Sequence, residues 1–315
     1  MIEYQKAPYL ELDHYKAPQG IKAIFIPMKD GKKIRLAYWK DVKKNNKGTI
    51  LLQQGHNEFI EKYFETIQDL IDRNYNVVSF DWRGQGMSDH MISDLHKQYI
   101  ENFDIHDQDL TYIINSFIKK NFPGPLIGFG HSMGGCLMLS SLKQHQNDFE
   151  ALLLSAPMLG FKNESLLTLI TLLSFPFVKK DEYLFLSKPN FGKETPFIEN
   201  DLTNDIMRYE RTLNLVRLYP EIRLWGITNA WAQAVRIRLK ELRNDSVIKN
   251  TETKILVFNS LQDSVVDPNK IIRTISKMKN STIINFENCK HEILMEKDIY
   301  RKELWNEFDQ FISNL

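Results

Sequence analysis

The 315-residue chain is poor in the features that would make several functional classes easy to recognise. It has only two cysteines, Cys136 in an apolar run and Cys289 in a polar loop, so no disulfide framework is expected and a reducing compartment is the default. It has no surplus of either charge: 41 basic residues against 40 acidic ones leave a formal +1, which removes any general electrostatic ground for binding nucleic acid or an anionic membrane. It lacks a long apolar run. The greasiest stretch, "LLTLITLLSFPFV" at 166–178, is interrupted by threonine, serine and proline and is too short to span a bilayer. The first twenty residues carry neither the basic flank nor the continuous apolar segment of a signal peptide, which points to the cytoplasm. No internal repeat or low-complexity linker is visible. What remains, at 43% hydrophobic and 26% charged residues, is an ordinary globular composition with enough chain for a large core.

Along the first half, short apolar runs alternate with longer helical patterns, the signature of a largely parallel sheet covered by helices on both faces. Runs at 21–27 and 33–40 predict an opening hairpin. Strands are predicted at 48–53, 75–81, 124–130 and 150–157, and helices at 58–74, 105–121 and 133–145. From 158 to 250 the alternation gives way to helical, aromatic- and arginine-rich text, read as an inserted cap. It then resumes with strands at 254–260 and 281–287 and helices at 268–279 and about 297–314. The chain therefore divides into a first part of the α/β core at 1–157, a helical cap at 158–250 and a second part of the core at 251–315.

The stretch "GFGHSMGGCLML" at 128–139 places Ser132 between Gly130 and Gly134, after a predicted strand and before a predicted helix. A serine hydroxyl is a weak nucleophile until a base takes its proton, and it must stand clear of the sheet to meet a substrate carbonyl. A sharp strand-to-helix turn achieves this, at the cost of crowding that leaves room for little but glycine two residues before and after. The competing loops fail on particular residues. A dinucleotide loop counted from Gly128 and Gly130 needs glycine where Met133 stands, and a phosphate-cradling P-loop needs a lysine that is absent.

A nucleophile so placed predicts an acid and then a histidine further along the chain. The first strand after the cap runs into "LQDSVVDP". Asp267 precedes Pro268 and a helical pattern and suits a helix cap, which leaves Asp263 as the acid. His291 is the only histidine after Asp263. It lies in a loop between the last predicted strand and the final helix. "HEILM" begins like the zinc motif HExxH but has Met295 in place of the second histidine, so no metal site is expected, and nothing in a Ser132–Asp263–His291 scheme requires a cofactor. The oxyanion would be held by the backbone N–H of Met133 and by that of His56, in the glycine-containing turn "LLQQGHNEF" around Gly55.

With these residues in place, the chain resembles the α/β-hydrolase superfamily, and within it the bacterial lysophospholipase L2 and monoacylglycerol lipase-like branch. The resemblance rests on "QQGHNEFIEKY", "FDWRGQGMSD", "GHSMGG", "SAPM", "DSVVDP" and "HEILME", in that order along nearly the whole chain. It departs from the pattern at the oxyanion loop, where the familiar His-Gly is Gln54-Gly55, and in the diverged cap. The resemblance implies that Asp81 and Arg83 tie loops near the site without reacting, and that the substrate is a lysophospholipid or a monoacylglycerol. A general carboxylesterase, an acyltransferase, an aminopeptidase of the same fold and a non-catalytic hydrolase-shaped binding protein are the alternatives. In the cap, 166–178 has the surface to line an acyl channel, to rest on the inner face of a membrane or to pack against its own neighbours. Arg208, Arg211, Arg217, Arg223, Arg236 and Arg238 read either as a phosphate-binding set or as a solvated face, the second being the commoner fate of such residues.

Overall fold

A computed structural model describes residues 4–40, 46–162, 164, 165, 168, 169, 171, 178–184 and 189–315. The apolar stretch at 166–178 falls mostly outside the described residues. Nine strands form one sheet in the order β1-β2-β3-β5-β4-β7-β8-β10-β11. These are β1 (Gln5–Lys6), β2 (Lys22–Pro27), β3 (Lys33–Trp39), β4 (Thr49–Gln53), β5 (Asn76–Phe80), β7 (Leu126–His131), β8 (Ala151–Ser155), β10 (Lys254–Ser260) and β11 (Ser281–Phe286). The pairs β1–β2, β2–β3 and β3–β5 are antiparallel and every later pair is parallel.

The central strands are buried on both faces, which is why they read as continuous apolar runs such as "TILLQ" and "ALLLS". Alternate side chains feed two cores. Leu51, Val78, Leu152 and Leu154 pack with the helices Asp104–Ile113 and Met133–His145; Ile50, Leu52, Val77 and Leu153 pack with Phe64–Asp72 and Asp298–Ser313. This is the α/β-hydrolase arrangement expected from the sequence. The helix read at 105–121 loosens into a π-turn at Ile114–Ile118, where the Ser116 hydroxyl donates to the Tyr112 carbonyl at 2.6 Å. The helix read at 268–279 stops at Ile275, and the Ser281 hydroxyl satisfies the carbonyls of Ile275 and Met278.

Between β8 and β10 the chain leaves the sheet and builds the helices Ile206–Leu218, Asn229–Asn244 and Ser246–Lys249. A short pairing invisible in the sequence joins this segment to the core: β6 (Lys97–Gln98) lies parallel to β9 (Gly226–Ile227), flanked by a Trp225 N–H bond to the His96 carbonyl. Three of the six arginines depart from the solvated-face reading, whereas Arg217 stays 43% exposed and pairs with Glu194 and Glu210 of its own segment. Arg238 is buried and reaches Asp104 and Asp107, while Arg208 and Arg211 both reach Glu65. They bind helices of the segment to the core. Cys289 is likewise buried where a polar loop was read; Cys136 and Cys289 are both free. Among the described residues no helix is long and apolar enough to cross a membrane.

Candidate active site

The chain passes from β4 to β5 on one side and later to β7 on the other, so the order of strands reverses between β4 and β7. Open parallel sheets bind ligands outside the carboxyl ends of strands at such a point. There the loop after β4 meets the turn after β7. Ser132 has φ +49° and ψ −115°, a conformation that non-glycine residues occupy only when their surroundings enforce it. The surroundings are visible: its N–H donates to Ser155 O at 3.0 Å, and its carbonyl accepts from Cys136 N at 3.0 Å and Met158 N at 2.9 Å. A Cβ on Gly130 would stand 2.7 Å from Gly135 Cα, and one on Gly134 would stand 2.5 Å from the Gln54 carbonyl. Both glycines flanking the serine are thus dictated by contact.

His291, from the loop after β11, sets Nε2 2.9 Å from Ser132 Oγ, and its Nδ1 lies 2.6 Å from Asp263 Oδ2. The other Asp263 oxygen accepts the N–H groups of Val265 and Val266 at 2.8 and 2.9 Å, so the carboxylate is fixed and fully buried. Asp267, four residues on, caps its helix through Asn269 N–H with Pro268 at the first position, as read from the sequence. Burial opposes a charged imidazole at His291, but Asp263 outweighs it, with help from Glu292 and Glu58, and raises the group above its ordinary 6.5. Neighbouring His131, its ring 4.8 Å from that of His291, is pushed down to about 4 by burial. A hydroxyl, an imidazole and a buried carboxylate in contact can activate the hydroxyl as a nucleophile.

Met133 opens the helix after Ser132, so its N–H has no helical acceptor. In the opposing loop the Gly55 N–H donates to Glu58 Oε2 at 2.5 Å and the Asn57 N–H donates to Gln85 Oε1 at 2.6 Å. Between them, the His56 N–H has no acceptor among the described residues. The His56 ring packs against that of Trp231 at 4.8 Å, and burial lowers its imidazole to about 4. Asp81 receives Ile60 N–H, Met87 N–H and Arg35 Nε–H, and Arg83 forks onto Asp109 while also reaching Asp30. Among the described residues no group of three or more His, Cys, Asp or Glu is arranged to hold a metal ion.

Sequence reasoning missed a buried ionic cluster beside the site. Lys62 Nζ donates to Glu58 Oε1 at 2.7 Å and to Glu292 Oε1 at 2.6 Å, and Tyr63 OH donates to Glu58 Oε2 at 2.7 Å. Burial alone would raise the Glu58 carboxyl; Lys62, His131 and the hydrogen bonds from Lys62 and Tyr63 hold it instead at about 2. Glu292 shares the lysine but has fewer donors. Burial and the Glu58 charge raise it. The four-residue spacing of Glu58 and Lys62 is the trace of this cluster in the sequence, but an exposed helix pair has the same spacing, so the spacing alone does not mark the pair as buried.

Ser132, His291, His131, Glu58 and Lys62 line a cavity of about 300 Å³, whose opposite wall comes from the segment between β8 and β10, including Thr195, Tyr209, Leu213 and Arg223. Larger concavities of about 540 and 1170 Å³ contain neither Ser132 nor His291.

Residues 44–298 match the family described as serine aminopeptidase, S33. The chain is 24% identical over 270 residues to a probable lysophospholipase L2 of Haemophilus influenzae, covering 84% of this chain and 83% of that protein. It is 26% identical over 278 residues to lysophospholipase L2 of Escherichia coli K12, covering 80% and 76%. Among solved structures, a soluble variant of monoglyceride lipase from Saccharomyces cerevisiae superposes with a TM-score of 0.73 at 17% identity, over 98% of this chain and 99% of that one.

Proposed function

The chain belongs to the serine aminopeptidase S33 family, in the α/β-hydrolase branch of lysophospholipases and monoacylglycerol lipases, and from that premise we propose that it hydrolyses the carboxylic ester of a lysophospholipid. The observation that carries the proposal is the chain of contacts at the cavity wall, 2.9 Å from Ser132 Oγ to His291 Nε2 and 2.6 Å from His291 Nδ1 to Asp263. His291 takes the Ser132 proton as Oγ attacks the ester carbonyl, and Asp263 holds the imidazole in the required tautomer and stabilises its charged form. The N–H groups of Met133 and His56 receive the oxyanion. The tetrahedral intermediate collapses as His291 returns the proton to the departing glycerol oxygen, and water, activated by the same histidine, then releases the fatty acid. Residues 158–250 serve as the cap, supplying the wall that faces the nucleophile.

The test has two stages. A fluorophosphonate probe, read by intact mass, should label the wild type and leave Ser132→Ala unlabelled. A panel of lysophosphatidylcholine, monoacylglycerol and short-chain ester should then show the highest kcat/KM with the lysophospholipid. An enzyme that labels but turns over only short esters would sink the lysophospholipase assignment, and monoacylglycerol as the better substrate would move it to the lipase side of the branch.

A further inference from the structure

Of the cap arginines, Arg208, Arg211, Arg217 and Arg238 are each paired with carboxylates. Arg223, which lines the cavity that contains Ser132, forms no ion pair among the described residues. Glu194, which feels its charge, is held by a fork from Arg217 at 2.7 and 2.6 Å. Arg223 spends two donors on backbone carbonyls, those of Gly192 at 3.1 Å and Lys193 at 2.7 Å, and these bonds orient the guanidinium without neutralising it. The other cavity cation, Lys62, is already engaged by Glu58 and Glu292.

The position of Arg223 is tied to the loop that faces Ser132. Asn57 Oδ1 accepts the Leu224 N–H at 2.8 Å and Asn57 Nδ2 donates to the Leu224 carbonyl at 3.2 Å. His96 Nδ1 lies 2.8 Å from the Arg223 carbonyl, and its ring stacks on Trp225 at 3.9 Å. The residue beside the His56 amide therefore grips the residue beside Arg223 at two points. The backbone at Arg223 is in this way held in register with the loop that faces the ester-cleaving serine, while the guanidinium, without a carboxylate partner among the described residues, is oriented by the Gly192 and Lys193 carbonyls. Guanidinium groups bind phosphate oxygens through paired, charge-assisted hydrogen bonds.

We propose that Arg223 is the specificity-determining residue of a phosphodiester subsite at the cavity, recognising the headgroup phosphate of a lysophospholipid whose ester lies at Ser132. The inference rests on reading this cavity as the substrate site. It explains how one site would prefer a lysophospholipid over a monoacylglycerol, which has the same ester and no phosphate.

The experiment reads binding in the Ser132→Ala protein, so that no turnover is needed, by calorimetric titration with a short-chain, sub-micellar lysophosphatidylcholine and with the monoacylglycerol of the same chain. Adding Arg223→Gln should raise Kd for the lysophospholipid about tenfold, the value of a partly solvated charge-assisted bond, and leave the monoacylglycerol within about twofold. Arg223→Lys should fall between the two, and added salt should weaken only the lysophospholipid. Equal loss for both ligands, no loss for either, or equal affinity of the two in the Ser132→Ala protein would overturn the proposal. Inorganic phosphate binding as tightly as the lysolipid would replace the headgroup assignment with a general anion site. A wild type that binds as expected and hydrolyses neither lipid would refute the hydrolase reading and leave the subsite standing.

Discussion

Replacing Lys62 with methionine keeps the stem of the side chain and removes the cation that bridges two buried carboxylates. Glu58 is held at about 2 against an ordinary 4.5, a depression that corresponds to roughly 3 kcal/mol of stabilisation when its charge is present. For a depressed carboxyl this contribution is complete above the unfolded value of 4.5 and is lost as pH falls through the folded value of about 2. In Lys62→Met the sign inverts for Glu58, because burial and repulsion from Glu292 are no longer opposed by the lysine, and Glu292, already raised, moves further above its unfolded value. The variant is then penalised at neutral pH and recovers as acid neutralises the carboxyls. The expected deficit near pH 7 is about 3–5 kcal/mol, the cost of breaking a buried pair by removing one partner. It should shrink markedly near pH 4. Urea unfolding followed by circular dichroism at both pH values measures it, and a Lys62→Met, Glu58→Gln, Glu292→Gln variant, with no charge left to bury, should regain most of the loss. A deficit of the same size at both pH values, persisting in the triple variant, would assign the effect to packing of the lysine stem and refute the ionic account.

Three further outcomes follow from the same geometry. His291 must be neutral to accept the Ser132 proton and is raised above 6.5, so kcat/KM should fall with acid through an apparent pKa above that value; Asp263→Asn should move this limb to lower pH and cut kcat by about 10⁴-fold, as measured on a chromogenic ester. Asp267→Ala should cost about 1 kcal/mol in urea unfolding and leave kcat/KM unchanged, since its carboxylate caps a helix; a catalytic loss there would transfer the acid's role. Gly134→Ala should destabilise by roughly 1–3 kcal/mol and lower fluorophosphonate labelling, because its Cβ would meet the Gln54 carbonyl at 2.5 Å, and an unaffected labelling rate would show the elbow to be tolerant.

What the sequence made legible was whatever short-range sterics and chain order encode. The helix read at 133–145 and the strand read at 254–260 have the same bounds in the structure, since each is fixed by an apolar pattern with a strong local boundary: Ser132 at the elbow in one case, the residues around Lys254 and Ser260 in the other. Asp263 and Asp267, four residues apart, were separable because Pro268 fixes a helix start and a helix start wants a cap. The two-residue pairing of Lys97–Gln98 with Gly226–Ile227 had no such mark. Its strands are too short to show a period, and its partners are more than a hundred residues apart.

The ionic contacts were illegible for a different reason, and they govern the electrostatics of the site. Glu58 and Lys62 at a four-residue spacing look like any exposed helix pair; what makes them interior is Glu292, which the fold brings against Lys62 from next to His291. Arg208 and Arg238 look like solvated charges in the sequence for the same reason, because their carboxylates, Glu65 and Asp107, lie more than a hundred residues earlier in the chain. A charged residue carries no local record of whether its counterion will arrive. The sequence therefore locates the groups that would react, through glycine sterics and order, whereas the pKa of His291 and the pose of Arg223 depend on contacts between distant segments. It follows that substitutions far from Ser132 along the chain, at Lys62 or Asn57 in the wall of its cavity, should alter rate or selectivity while leaving the Ser132, Asp263 and His291 motifs intact.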